Sequence, residues 1–267
     1  MMINIAERNN VTILGEGEQV LLFGHGFGCD QSLWHSLTTY LKDAYKIILF
    51  DYVGAGKSDI LAYDSIKYNS LDGYAQDVID VIEAFDLKNI IFIGHSISSM
   101  IGMLAAIKKP QYFSKLIMIG PSPCYLNDGS YIGGFSRSEI EELLETMEMN
   151  FEGWASYMAP MAIDQSKDSY LTKTLERTFV STNPSIARQF AEVTFFSDYR
   201  HQLDELQIPT LLLQCANDSI VPIEVGDYLN EHIPDSELVI LNTRGHYPHL
   251  SDPNLTAEII LQYLKRG

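Results

Sequence analysis

The chain reads as an α/β fold, a mostly parallel sheet flanked by helices and interrupted by a helical insertion. Three observations predict it. Short apolar runs alternate with amphipathic stretches, the alternation resumes beyond residue 210, and the interval between the two stretches carries helical periodicity without a clear strand. Alternation at this spacing implies parallel strands whose crossover helices cover both faces of the sheet.

The strand-like runs are Val20 to Phe23, Lys46 to Phe50, Asn89 to Ile93, Leu116 to Ile119, Thr210 to Cys215 and Glu237 to Leu241. Apolar residues three and four apart predict helices over Gln31 to Leu41, Leu71 to Phe85, Ile97 to Ile107, Val221 to His232 and Asn254 to Leu264. From Pro121 to about Gln207 the pattern predicts four further helices: Ser136 to Asn150, Glu152 to Ile163, Ser169 to Val180 and Pro184 to Phe196. The last begins with proline behind Asn183, as a capped helix does. Residues 1–121 and 205–267 are therefore expected to form the core, and 122–204 a four-helix lid. The lid is richer in Phe, Trp, Tyr and Met than its own packing requires, which predicts a dry pocket beneath it.

Composition narrows the function. With 267 residues and 46% hydrophobic content the chain can bury a large core. A net charge of −17 argues against nucleic acid or an anionic membrane as a partner. Cys29, Cys124 and Cys215 are odd in number and far apart, which speaks against a disulfide framework or a zinc site. The first residues lack the apolar stretch of a signal peptide, and no run of about 18 apolar residues could span a membrane. A cytoplasmic location is expected.

The chemistry is written at strand ends. Ile91-Phe-Ile-Gly94-His95-Ser96 is an apolar run ending in a small-residue turn, and a helical pattern follows at once. Such a strand-to-helix elbow holds a serine hydroxyl above the sheet, beside the backbone N–H of the next residue and the helix N-terminus. The usual pattern closes with glycine two residues after the serine; here that position is Ser98, which keeps packing tight with less clearance. An elbow serine needs a base, and the base needs a carboxylate. Asp218 follows the run Thr210 to Cys215, and His246 follows Glu237 to Leu241 after a short loop, so the order Ser, Asp, His is complete. Upstream, Leu21-Leu-Phe23 leads into Gly24-His-Gly-Phe-Gly28, a turn able to aim a backbone N–H at the same point. Ser96, Asp218 and His246 are thus the expected catalytic residues. No metal or organic cofactor is needed.

Other signals carry less. Gly54-Ala-Gly-Lys-Ser58 resembles the end of a phosphate loop, but Asp51 stands where its first glycine belongs. His246 and His249 are spaced like metal ligands, yet Pro248 intervenes and no third ligand is near in sequence. A carboxylate at position 96 would be needed for dehalogenase or epoxide hydrolase chemistry, and Ser96 excludes both.

Five segments of the core, Gly26-Phe-Gly-Cys-Asp-Gln-Ser, Leu49-Phe-Asp-Tyr-Val-Gly, Leu71-Asp-Gly-Tyr-Ala-Gln-Asp-Val, Gly94-His-Ser-Ile-Ser and Gly120-Pro-Ser-Pro-Cys-Tyr, together with Gly133-Gly-Phe and Ala187-Arg-Gln-Phe-Ala in the lid, resemble the bacterial RsbQ-type α/β hydrolases. The Ser96-Ile-Ser-Ser-Met segment is also similar to that of the plant strigolactone and karrikin receptors. The resemblance implies an α/β-hydrolase fold and a serine hydrolase that acts on a small hydrophobic ester or lactone as a sensor. It implies positive regulation of a general stress sigma factor through a phosphatase partner carrying a PAS domain. It assigns the oxyanion-hole N–H groups to Phe27 and Ile97. Pocket positions are expected at Phe27, Phe135, Trp154, Met158 and Phe195, with Ser219 and Tyr247 beside the catalytic loops. Two other readings stay open: a metabolic carboxylesterase or lactonase with no signalling role, and a ligand-binding module with little turnover.

Overall fold

The computed structural model describes residues 4–266. The strands are β1 (Thr12–Leu14), β2 (Val20–Gly24), β3 (Lys46–Leu49), β4 (Ile90–His95), β5 (Phe113–Ile119), β6 (Thr210–Asn217) and β7 (Ser236–Arg244). The helices are α1 (Ile5–Arg8), α2 (His35–Thr38), α3 (Leu71–Ala84), α4 (Ile97–Lys108), α5 (Arg137–Met149), α6 (Phe151–Ile163), α7 (Tyr170–Ser181), α8 (Pro184–Phe195), α9 (Ile223–His232), α10 (Pro248–Ser251) and α11 (Pro253–Lys265). The strands form one sheet of order β1-β3-β2-β4-β5-β6-β7. Every neighbouring pair is parallel except β1 with β3.

Alternation along the strands divides the core into two layers. Leu22, Ile48, Phe92, Leu116, Met118 and Leu212 face one side with residues of α3, α4 and α9. Leu21, Phe23, Ile47, Leu49, Ile93, Ile117 and Leu213 face the other, where Leu37 of α2 and Ala257 and Ile260 of α11 meet them. Burial on both faces is why β2 and β4 read as unbroken apolar runs. Helix α4 is buried from Ile97 to Ala106, and its Gly102 accommodates the Phe92 ring, which a Cβ there would meet at 2.3 Å.

The short helices α1 and α10, strand β1 and the segment after β2 depart from the sequence reading. Strand β1 was not anticipated: it is a three-residue antiparallel edge, largely exposed, and an exposed short edge has no apolar signature. The predicted helix over Gln31 to Leu41 is broken into a 3₁₀ turn at Gln31–Trp34, the short α2 and further turns. Thr38 and Thr39 direct their hydroxyls to the carbonyls of His35 and Ser36, three residues back, where local side-chain bonds compete with a regular helix.

Helices α5 to α8 lie between β5 and β6 in sequence, and α6 packs against α5 and α7 while α8 packs against α5. Each start is capped by a side chain: Ser136 with Glu139 in a reciprocal box, then Asn150, Ser169 and Asn183. Among the described residues no helix is long and apolar enough to cross a membrane.

Candidate active site

The carboxyl ends of β4, β6 and β7 deliver three side chains to one point. Ser96 follows β4 directly and has φ +56° and ψ −124°, a backbone conformation that costs roughly 1–3 kcal/mol and needs the surrounding structure to hold it. The clamp is visible: Ser96 N–H donates to Ile119 O at 2.7 Å, while Gly94 lies so close to α4 that a Cβ would sit 2.6 Å from Ser98 O. Asp218 lies just beyond an irregularity in β6 between Cys215 and Asn217, and such a bulge re-aims the residues after it. Its Oδ1 accepts from the N–H groups of Ile220 and Val221 at 2.8 and 3.1 Å. His246 leaves β7 through Gly245, whose φ is +80°.

Ser96 Oγ is 2.7 Å from His246 Nε2, and His246 Nδ1 is 2.7 Å from Asp218 Oδ2. A carboxylate can only accept, so His246 Nδ1–H donates to Asp218 and Nε2 presents its lone pair to the serine hydroxyl. The imidazole rests on Gly120, where φ is +59° and a Cβ would approach His246 Cε1 to 2.9 Å. Any side chain at Gly120 would therefore move the base.

Behind the site lies a second layer of histidines. His95 donates from Nε2 to His246 O at 2.9 Å and is fully enclosed. Burial first, then the neighbouring His249 and His246, hold its pKa well below the ordinary imidazole value. His249, against Trp34 with ring centroids 4.4 Å apart, is pushed down to about 3 by burial and by His246. Both are held neutral at neutral pH.

The Gly24 to Gly28 turn is tied to the elbow by Ser98. Ser98 Oγ–H donates to His25 O at 2.5 Å and lies 2.9 Å from Tyr52 Oη, whose hydroxyl is free to donate to it. Tyr52 N–H donates to His25 Nε2 at 3.2 Å, which fixes the Nδ1–H tautomer of that ring. The serine that replaces the usual glycine is thus a fastener between α4, the loop after β3 and the turn that carries Phe27. No hydrogen bond among the described residues uses Phe27 N–H, and Ile97 is the first residue of α4, where an N–H has no partner within the helix. Both N–H groups are therefore without a partner among the described residues.

The lid reaches into the catalytic loops. His246 N–H donates to Ala162 O at 2.7 Å, and Ser219 Oγ donates to Met161 O at 2.8 Å, both at the carboxyl end of α6. Gly245 permits this approach, since a Cβ there would lie 2.4 Å from Ile163 O.

Between lid and core is a cavity of about 40 Å³, lined by Ser96, His246, Phe27, Trp154, Met158, Phe195 and Tyr247 among others. Phe27 is part of its wall, its ring edge-on to those of Trp154, Phe190 and Phe195 at 5.7–6.0 Å. Two expected pocket residues do not line it. Ser219 is exposed and its hydroxyl is committed to α6; Phe135 packs behind Phe195 with centroids 5.8 Å apart. Spacing along the chain identifies a loop, but which of its side chains turn inward is decided by packing across it. Sequence reasoning missed Tyr125, Phe179, Thr194 and Ile220, which do line the cavity. Tyr125 is the important omission: its fully buried hydroxyl is 3.3 Å from Ser96 Oγ, and burial raises its pKa above the usual phenol value, so it is a neutral donor. Its position five residues beyond Gly120, in the loop after a core strand, was the available signal. A larger surface groove of about 870 Å³ lies outside, between α8, the end of α5 and Asn69–Ser70, and none of the three catalytic candidates faces it.

Comparisons with known proteins give the family. Residues 20–259 match the alpha/beta hydrolase family. The chain is 39% identical to the karrikin insensitive 2 receptor CA of Petunia hybrida over 97% of both chains. It is 38% identical to the strigolactone esterase D14 of Arabidopsis thaliana over 98% of both. Among solved structures, a hydrolase from Oleispira antarctica superposes with a TM-score of 0.96 at 40% identity, covering 99% of this chain and 97% of that one. With its parallel sheet, its elbow serine and these relatives, the chain belongs to the alpha/beta hydrolase family.

Proposed function

We propose that the protein is a serine hydrolase that cleaves small apolar esters or lactones, with Ser96 as nucleophile, His246 as base and Asp218 as its orienting carboxylate. The observation that carries this reading is the pair of 2.7 Å contacts from Ser96 to His246 and from His246 to Asp218. In the mechanism, Ser96 Oγ attacks the carbonyl carbon while its proton passes to His246 Nε2. Negative charge develops on the carbonyl oxygen, where the Phe27 and Ile97 N–H groups receive it. The imidazolium formed is stabilised by Asp218 and returns the proton to the departing alcohol. Water then attacks the acyl-serine by the same path in reverse. Tyr125 O–H, beside Ser96 Oγ, assists whichever oxygen lies there. The apolar wall and the 40 Å³ of space support small uncharged substrates over bulky or ionic ones.

A sensing role is part of the proposal. Its support is that the similarity to proteins named as receptors extends over nearly the whole chain, lid included. Regulation of a stress response with a PAS-domain phosphatase is the form the bacterial resemblance suggests for it. The metabolic carboxylesterase is the alternative, and rate separates them: slow hydrolysis with ligand-dependent partner binding supports the sensor, fast hydrolysis of many esters the metabolic enzyme.

The first test compares aryl ester and butenolide hydrolysis by the wild type and Ser96→Ala. The expected result is a loss of about 10⁴-fold or more in kcat. Equal rates in both proteins would remove the hydrolase reading.

A further inference from the structure

The turn that carries Phe27 follows β2, and the loop that carries His246 follows β7. Strands β4, β5 and β6 lie between those two in the sheet, so strand pairing does not join the turn to the loop directly. A side-chain contact does. Cys29 Sγ lies 3.5 Å from Tyr247 Oη, across 218 residues of chain, and among the described residues this is the one hydrogen bond between residues 24–29 and 245–249.

Both partners are enclosed, Cys29 at 1% exposure and Tyr247 at 4%. The thiol also lies 3.3 Å from Phe27 O. A carbonyl oxygen only accepts, so Cys29 Sγ–H donates to Phe27 O and the sulfur is left to receive the Tyr247 O–H. The bridge has one polarity, from the Tyr247 hydroxyl through sulfur to the Phe27 carbonyl. Burial pushes the Cys29 thiol up to about 12 and holds the Tyr247 phenol well above its ordinary value. Both groups stay protonated, and neither serves as nucleophile or base.

Each end of the bridge is anchored. Cys29 N–H donates to Gly26 O at 3.2 Å, which closes a tight turn about Phe27 and Gly28. Tyr247 follows the base directly, and its carbonyl accepts from the N–H groups of Leu250 and Ser251 at 3.0 Å. Its ring stands at 90° to that of His246, with centroids 5.6 Å apart. One sulfur atom thus holds the Phe27 peptide on one side and the neighbour of the base on the other.

We infer that Cys29 and Tyr247 are positioning residues that keep the Phe27 peptide and His246 at one spacing during hydrolysis. This deepens the serine-hydrolase reading and rests on it for the role of Phe27 N–H. The thiol and the phenol act through Phe27 and His246 and take no part in bond breaking. A donor aimed at developing charge must be held to within about 0.5 Å, and the hydrogen bonds that hold it therefore show in turnover.

The test is a double-substitution cycle on p-nitrophenyl acetate hydrolysis, with wild type, Cys29→Ala, Tyr247→Phe and the two combined, Ser96→Ala as the blank, and thermal melting of each. Each single substitution should lower kcat by about fivefold and leave KM within about twofold, because the Tyr247 ring stays in the cavity wall. The combined variant should lose no more than either alone, since the same bridge is broken in all three. Should Cys29→Ala fail to fold, Tyr247→Phe, which keeps the ring, decides by its kcat and KM. Unchanged kcat in Tyr247→Phe, a loss confined to KM, or losses that multiply to about 25-fold in the combined variant would overturn the inference and leave the hydrolase reading standing. No hydrolysis by the wild type above the Ser96→Ala blank would remove the hydrolase reading and the inference with it.

Discussion

The floor and the roof of the cavity are built on opposite terms. The floor is over-determined: Ser96 is held by the β5 backbone, Asp218 by two backbone N–H groups, His246 by Ala162, His95 and the bare face of Gly120. The roof is aromatic, held by ring packing around Phe27, and leaves the Trp154 and Thr194 donors unpaired. Geometry for bond breaking must be fixed before the substrate arrives, so it is paid in backbone hydrogen bonds and one strained residue. Substitutions in the floor should therefore change turnover, and those in the roof should change preference.

Three substitutions probe the floor at decreasing depth. Asp218→Asn leaves the contacts in place but lets the amide favour the wrong imidazole tautomer, so kcat should fall by about 10⁴-fold with folding intact; steady-state kinetics on an activated aryl ester checks it. A loss below tenfold would show that Asp218 does not orient the base.

Ser98→Ala removes the link from α4 to His25 O and Tyr52 Oη while leaving the three catalytic candidates untouched. It should lower kcat by about tenfold through a looser Phe27 N–H, with little change in KM, since one positioning hydrogen bond carries roughly that much. Equal loss in KM and none in kcat would place the role of Ser98 in binding instead. Rescue by Ser98→Thr is not expected, because Gly24 is close: a Cβ on Gly24 would lie 3.1 Å from Ser98 Oγ.

The smallest effect concerns stability and pH. His249 has its folded pKa depressed to about 3, against an ordinary imidazole value of 6.5. Between these values the unfolded chain binds a proton that the folded chain refuses. Stability from this group is therefore complete above about pH 6.5 and falls on acidification toward pH 3, by up to about 1.4 kcal/mol per pH unit. His95, depressed in the same direction, adds to the slope. Denaturant melts of His249→Phe from pH 7 to 5 should show a shallower decline than the wild type. Parallel curves would mean that His249 does not carry it.

How much of this was legible in the sequence follows from how local each signal is. The apolar runs of β2 to β7 and the longer helices between them were readable, because burial on both faces of a sheet writes itself into consecutive residues, while the helix expected over Gln31 to Leu41 is broken. Strand β1 was not, since an exposed three-residue edge imposes no pattern. Ser96, Asp218 and His246 were readable because each closes a strand, and parallel strands bring their ends together.

The amino-acid sequence by itself determined the order of the main elements, the residues at the strand ends and the capped lid helices. Tertiary structure alone decided which side chains of a loop turn inward: Tyr125 toward Ser96, Ser219 outward to α6, Phe135 behind Phe195. It also turned Ser98 from a packing substitute into a hydrogen-bonded bridge and left Thr194 without the carbonyl its helix could have supplied. The physical reason is common to all of these. Periodicity and capping are settled within a few residues of chain, whereas the direction of a buried polar atom is settled by partners far along it, 29 residues from Tyr125 to Ser96, 58 from Ser219 to Met161 and 73 from Ser98 to His25.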